Sequence, residues 1–181
     1  MKTLAVLFVT SVTLLAEVPR VTLYAGSSWA QKDLKTYTYN SHPVSWGLGI
    51  TQDFTEASSA RLTIGEDRWG KNTTLHANYL VKEHLASTVY EADYLHHFND
   101  ILYVYGGGGI KYWRQSYETT YTNTLEWKGT NVVHYRATRG FFRAGLGVRV
   151  DLVALELGWT QGKISGSKSA NSVDARLVLK F

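Results

Sequence analysis

From Val21 to its last residue the chain alternates apolar and polar side chains at a period of two, in eight successive segments, and this pattern leaves few folds open. Val21, Leu23, Ala25 and Trp29 share one face of the first segment, Trp46, Leu48, Ile50 and Phe54 one face of the second, and Leu62 and Ile64 one face of the third. Tyr90, Ala92, Tyr94 and Phe98 follow in the fourth segment, then Leu102, Val104, Ile110 and Tyr112 in the fifth. The sixth sets Phe142, Leu146 and Val150 together, the seventh Val153, Leu155 and Trp159, and the eighth Val173, Leu177 and Phe181. Charge, hydroxyls and glycine occupy the opposite faces. Helical periodicity is scarce after residue 17, so the fold class is all-β.

Alternation alone does not say which face points out, but the aromatic residues do. Phe54, Phe98 and Phe181 fall at strand ends joined by short turns, near residues 55–58, 99–100 and 151–152. Trp29, Trp46, Tyr90, Tyr112, Phe142 and Trp159 fall toward the other ends, beside the longer polar connections 31–43, 70–86, 116–139 and 165–171. Two aromatic girdles bounding an aliphatic band are what a bilayer selects. In lipid only a closed barrel satisfies every backbone group. The expected architecture is an eight-stranded antiparallel up-and-down transmembrane β-barrel. A strict two-residue Asn99-Asp100 hairpin would pair opposite faces, so a three-residue loop or a bulge is needed there.

Residues 106–109 are four consecutive glycines between aromatic pairs, YVYGGGGIKYW. A phosphate loop needs a following helix and a Lys-Ser or Lys-Thr pair; here Lys111 precedes Tyr112 and Trp113, and the alternation keeps its phase across the glycines. They are read as structural. A narrow eight-stranded barrel is filled by side chains, and inward Gly26, Gly47, Gly49, Gly65, Gly107, Gly109, Gly145, Gly147 and Gly158 leave room for Tyr24, Tyr103, Tyr105 and inward charges. The outward Gly106 and Gly108 leave a groove for rings such as Tyr90 or Phe142. The same phase turns Arg61, Arg143, Arg149, Arg176 and Lys180 inward, facing Asp53, Asp67, Glu91, Asp93, Asp151, Glu156 and Asp174. Such groups survive there only when paired, which argues for a plugged lumen; a gated ion path is the sharper alternative.

The first sixteen residues, MKTLAVLFVTSVTLLA, put one lysine before an apolar run too short to span a bilayer as a helix. They read as a secretory signal, leaving residues 17–181 as one barrel domain. The net charge is only +4, without a block of like charge, which makes a nucleic-acid partner improbable. The absence of cysteine removes disulfides, thiolate metal sites and a lipid-modified cysteine.

With these features the chain resembles the small eight-stranded outer-membrane barrels of the OmpA/OmpX-like and opacity-protein group, over residues 17–181. The terminal pattern Ala175, Leu177, Leu179, Phe181 is similar to the signal read by the outer-membrane assembly machinery. The resemblance implies a monomer in the bacterial outer membrane, among its lipids and lipopolysaccharide, with both termini periplasmic. Members of this group adhere, resist complement, support the envelope or, in a few relatives, modify lipid A.

No cofactor is expected and no catalytic residue emerges. The lipid A deacylases carry a His-x-Ser pair, and none of the six histidines has serine two residues later. A Ser/His site assembled in space remains the enzymatic alternative, and a secreted calyx for an apolar ligand is a third reading. His42, His76, His84 and His134 fall in outer connections without metal-ligand spacing, so no metal is expected. The best candidate for recognition is the third long connection, where Tyr117, Tyr121, Trp127, Lys128, Tyr135, Arg136 and Arg139 join aromatic surface to cationic donors. A surface protein or a glycan would be the partner. Residues 116–124 and 132–138 also alternate, so the same stretch reads as strand extensions whose exposed edge could accept a partner strand.

Overall fold

The computed structural model describes residues 18–31, 34, 43–76, 79–121, 130–164, 166 and 168–181. The expected signal segment lies outside the described residues, as do His42, Trp127 and Lys128. Eight strands form the chain: β1 (Arg20–Gln31), β2 (Val44–Thr55), β3 (Ser58–Leu75), β4 (Tyr79–His97), β5 (Leu102–Tyr121), β6 (Thr130–Val150), β7 (Val153–Gly162) and β8 (Asn171–Lys180). Each pairs antiparallel with the next, and β1 pairs with β8 to close the barrel. Among the described residues no helix is long and apolar enough to cross a membrane, and the crossing elements are strands.

The apolar face points out. Leu48, Leu62, Leu155 and Leu157 expose about half of their surface, and the expected girdle residues Trp29, Trp46, Phe54, Phe98, Phe142, Trp159 and Phe181 are all exposed. The polar face is buried, with Arg61, Glu91, Arg143, Glu156 and Arg176 inside. A soluble calyx has the reverse arrangement. Leu155→Arg is expected to cost about 2 to 4 kcal/mol if this position lies near the bilayer midplane, read as a lower urea midpoint for the vesicle-inserted barrel. An unchanged midpoint would place Leu155 outside the hydrocarbon.

Three turns set the register. Glu56 and Ala57 join β2 to β3, with a bulge between Asp53 and Thr55. At the β4–β5 turn the Phe98 N–H donates to the Leu102 carbonyl at 3.0 Å, and Asn99 Oδ1 accepts from the Ile101 and Leu102 N–H groups at 2.9 and 2.7 Å. The loop is therefore three residues long, which pairs His97 with Tyr103 and keeps like faces together. Asp151 does not face the lumen as the alternation implied: it shares the β6–β7 turn with Leu152, is exposed, and has φ 55°. A short polar side chain tolerates that left-handed backbone.

The connection expected as a loop at 70–86 is largely strand, and the strand extensions read around residues 116 and 132 are present. Gly70 to Leu75 pair with Leu85 to Leu80, and Thr119 and Thr120 still pair with Asn131 and Thr130. Strands β3 to β6 thus run 18 to 21 residues, roughly twice the 9 to 11 that a tilted strand needs to cross a bilayer. A four-stranded sheet stands above one side of the barrel. The register shifts between Arg68 and Gly70, where Gly70 has φ 129°, and this phase change hides the extension from a simple alternation reading.

Candidate functional site

The lumen is built by pairing large inward residues with glycines across strands. Tyr103 faces Gly147, Tyr105 faces Gly145, Tyr24 faces Gly47, Arg176 faces Gly26, and Gly107 lies between Asp93 and Arg143. A Cβ on Gly47 or Gly65 would strike the Tyr24 side chain, on Gly145 or Gly158 that of Tyr105, and on Gly147 that of Tyr103. The freed space holds charge. Arg61 donates to Glu156 Oε1 at 2.7 Å and Oε2 at 3.1 Å and to Asp93 at 2.9 Å. Arg143 contacts Glu91 and lies 3.6 Å from both Asp93 and Glu156, while Arg176 donates to Glu91 at 3.0 Å. Tyr103 OH donates to Glu156 at 2.7 Å. The guanidiniums of Arg143 and Arg176 also stack on Tyr105 and Tyr24, 4.6 and 4.5 Å from the ring centres.

Of the twelve charged residues expected inside, Arg61, Glu91, Asp93, Arg143, Glu156 and Arg176 meet in this network. Arg149 does not join it: it sits at the short-turn mouth, half-buried, and donates to the Asp100 carbonyl at 3.2 Å. Lys180 holds Asp53 there at 2.9 Å. Among the described residues Tyr24 OH, Thr22 Oγ1 and Thr63 Oγ1 are buried without a hydrogen-bond partner.

A second layer, which sequence reasoning missed, closes the opposite end. Lys111 donates to Asp67 at 2.7 Å and lies 5.1 to 5.7 Å from the rings of Trp69, Trp113 and Phe141. Beside it Leu34, Trp69, Leu85, Trp113, Ile164 and Ala170 form a buried apolar cluster. The odd-numbered phase through Asp67 and Lys111 carries both tryptophans inward, and that was the signal available. The lumen is thus filled by an apolar cluster above a layer of ion-paired side chains.

Above this cluster, Tyr117 and Tyr135 meet edge to face at 5.8 Å on the inner side of the projecting sheet. With Trp113, Val133, Ile164 and Lys168 they line a cleft of about 520 Å³. Gln115 donates to Glu83 at 2.6 Å and contacts Tyr117 OH. Tyr121 lies higher, 6.2 Å from Tyr79. Arg136 pairs across strands with Arg114, whose alternation places both on the outer face, away from Lys111 and Trp113. Pairing between β6 and β7 begins at Phe141 and Gly162; above it, residues 130–140 have no pairing partner on that side among the described residues. Val132, Val133 and Tyr135 on this free edge are exposed.

Among the described residues His84 and His134 flank Ser116 in the register and the other histidines lie apart from them. His76 stacks on Tyr79, His96 meets Phe98 edge to face, and among the described residues no group of three or more His, Cys, Asp or Glu could hold a metal. A Ser/His contact does form in space: Ser59 Oγ lies 2.7 Å from His97 Nε2. Ser59 is fully buried and stands at the short-turn end of the barrel.

No protein-family model and no curated protein matches the chain. Solved structures do. Ail, the attachment invasion locus protein of Yersinia pestis, in complex with the heparin analogue sucrose octasulfate, superposes with a TM-score of 0.58 at 11% identity, over 90% of this chain and 97% of that one. Ail in a phospholipid bilayer nanodisc gives 0.54 at 11% identity over 91% and 100%. Neisserial surface protein A gives 0.50 at 14% identity over 92% and 99%. With its closed ring of eight antiparallel strands and its outward apolar belt, the chain has the fold of the small eight-stranded outer-membrane β-barrels of the OmpA/OmpX-like type.

Proposed function

We propose that the chain is a monomeric, non-enzymatic bacterial outer-membrane protein that recognises a surface partner through the sheet its four long strands raise above the bilayer. The observation that carries this reading is the unpaired β6 edge, residues 130–140, held on a stiff four-stranded support. An edge strand offers a row of free N–H and C=O groups, and an extended segment of a partner protein can add to it as a fifth strand. The apolar Val132 and Val133 favour such pairing, and the cleft at Tyr117 and Tyr135 offers side-chain pockets beside it. Ail's complex with a heparin analogue is a precedent for a sulfated glycan as the competing partner. Insertion through the assembly machinery would use β8, which is followed by Phe181 and completes the ring with β1.

The test removes the edge and keeps the barrel. Replacing residues 114–136 with Asn-Gly preserves the Trp113–Ala137 pairing and suits a two-residue hairpin. Bacteria displaying this variant should retain the heat-shifted gel band of a folded barrel and lose adherence to cultured epithelial cells. Undiminished adherence would remove the projecting sheet from consideration. Val132→Pro and Val133→Pro refine the result, since consecutive N–H groups point to opposite edges of a strand. The variant that keeps β5 pairing intact should still block a strand partner while leaving a glycan-binding cleft unaffected.

A further inference from the structure

The outer wall of the projecting sheet carries a second groove, of about 560 Å³, bordered by Glu66, Arg68, His84, Arg114, His134 and Arg136. Its height follows from the outward residues of each strand. On β3 Ile64 is succeeded by Glu66 and Arg68, on β5 Tyr112 by Arg114 and Ser116, and on β6 the sequence climbs from Phe142 through Gly140 and Thr138 to Arg136 and His134. The first outward charges above the apolar belt are therefore Glu66 on β3 and the guanidiniums of Arg114 on β5 and Arg136 on β6, with Arg68 one step above Glu66, at the level where lipid headgroups begin.

Their arrangement lacks a matching anion. Arg114 pairs directly across strands with Arg136, a like-charge contact that destabilises a sheet unless something bridges it. One carboxylate oxygen, Glu66 Oε1, serves both Arg68 at 3.5 Å and Arg114 at 3.2 Å. Arg136 has no ion pair among the described residues. Ala86 lies between Arg68 and Arg114 in the register, so its small side chain leaves the floor of the groove open. Three guanidiniums against one carboxylate form a fork suited to bidentate contact with phosphate oxygens.

We propose that this groove binds the phosphate groups of an anionic glycolipid headgroup from the side of the barrel, clamping the projecting sheet to its leaflet. The inference rests on the reading that the barrel spans a membrane with the long strands on the glycolipid side. The full chain is inserted into vesicles of phosphatidylcholine alone or with added diphosphorylated lipid A, and the temperature of its gel-mobility shift is measured. A ligand that binds only the folded state raises that temperature. Wild type should gain several degrees from lipid A, Arg114→Gln/Arg136→Gln should lose that gain, and Arg149→Gln, which removes a charge at the other mouth, should keep it.

No gain for wild type, or an equal gain for the double variant, overturns the proposal while leaving the membrane reading intact. Failure to insert into either vesicle overturns both. Soluble sucrose octasulfate provides the remaining arm. If it raises the transition of wild type in phosphatidylcholine alone, and lipid A does not, the groove belongs to a sulfated glycan and the lipid assignment falls.

Discussion

Glu156→Ala is expected to destabilise the barrel by roughly 3 to 5 kcal/mol, because removing one partner of a buried ion pair leaves the other charge uncompensated. Glu156 is fully buried and accepts from Arg61 through both oxygens and from Tyr103 OH, with Arg143 at 3.6 Å. Asp93 still faces Arg61 at 2.9 Å and lies 3.6 Å from Arg143, and Glu91 holds Arg143 and Arg176, so two carboxylates would be left to serve three guanidiniums. Urea unfolding in vesicles reads the loss. Glu156→Gln keeps the shape and some hydrogen bonds and should fall between alanine and wild type. Arg61→Met combined with Glu156→Leu should cost less than the two single changes added, since no guanidinium is then stranded by the missing carboxylate. A loss below about 1 kcal/mol for Glu156→Ala would be the cost of an exposed pair, and it would mean that water screens the lumen.

The faces of the strands were legible because two different solvents enforce them. Lipid demands the apolar side at Leu48 or Leu157, and a narrow lumen demands small or paired side chains opposite, so alternation survives along every membrane-crossing segment. Depth was less legible. The phase that put Arg149 inside says nothing of its height, and it lies at the mouth while Arg143, three outward-facing steps deeper, is fully enclosed. Above the bilayer water bathes both faces, the pressure to alternate lapses, and β3 and β4 continue beneath a sequence that reads as loop. The apolar cluster was half legible. Trp69 and Trp113 follow the inward phase, yet Leu34 and Ile164 reach them from connections whose course no periodicity describes. An exposed edge was legible in the alternation at 116–124 and 132–138, but its place on β6 and its length were not, since they depend on β7 having 10 residues where β6 has 21.

The glycine run supplies a contrast within one strand. Gly109→Val is expected to cost at least about 3 kcal/mol or abolish folding, at the severe end of overpacking, whereas Gly106→Val should cost less than about 1 kcal/mol. Both glycines belong to β5, three positions apart, and valine has the higher strand propensity at each. The difference lies in what a side chain would meet. At Gly109 a Cβ would overlap the Tyr90 carbonyl oxygen and approach Glu91 Cα to 3.0 Å. These are backbone atoms of the paired strand β4, so relief requires moving the strand itself. Glu91 is also the carboxylate that holds Arg143 and Arg176, and displacing it would disturb the charge layer as well as the ladder. At Gly106 the nearest atom, the Arg143 carbonyl oxygen, is 4.0 Å away, and the position faces outward beside Tyr94. There an added apolar side chain meets lipid. Heat-shift midpoints of the two variants measure the contrast directly. If both behaved like wild type, the inward glycines would not be needed to admit the charge layer, and the packing account of the lumen would fail.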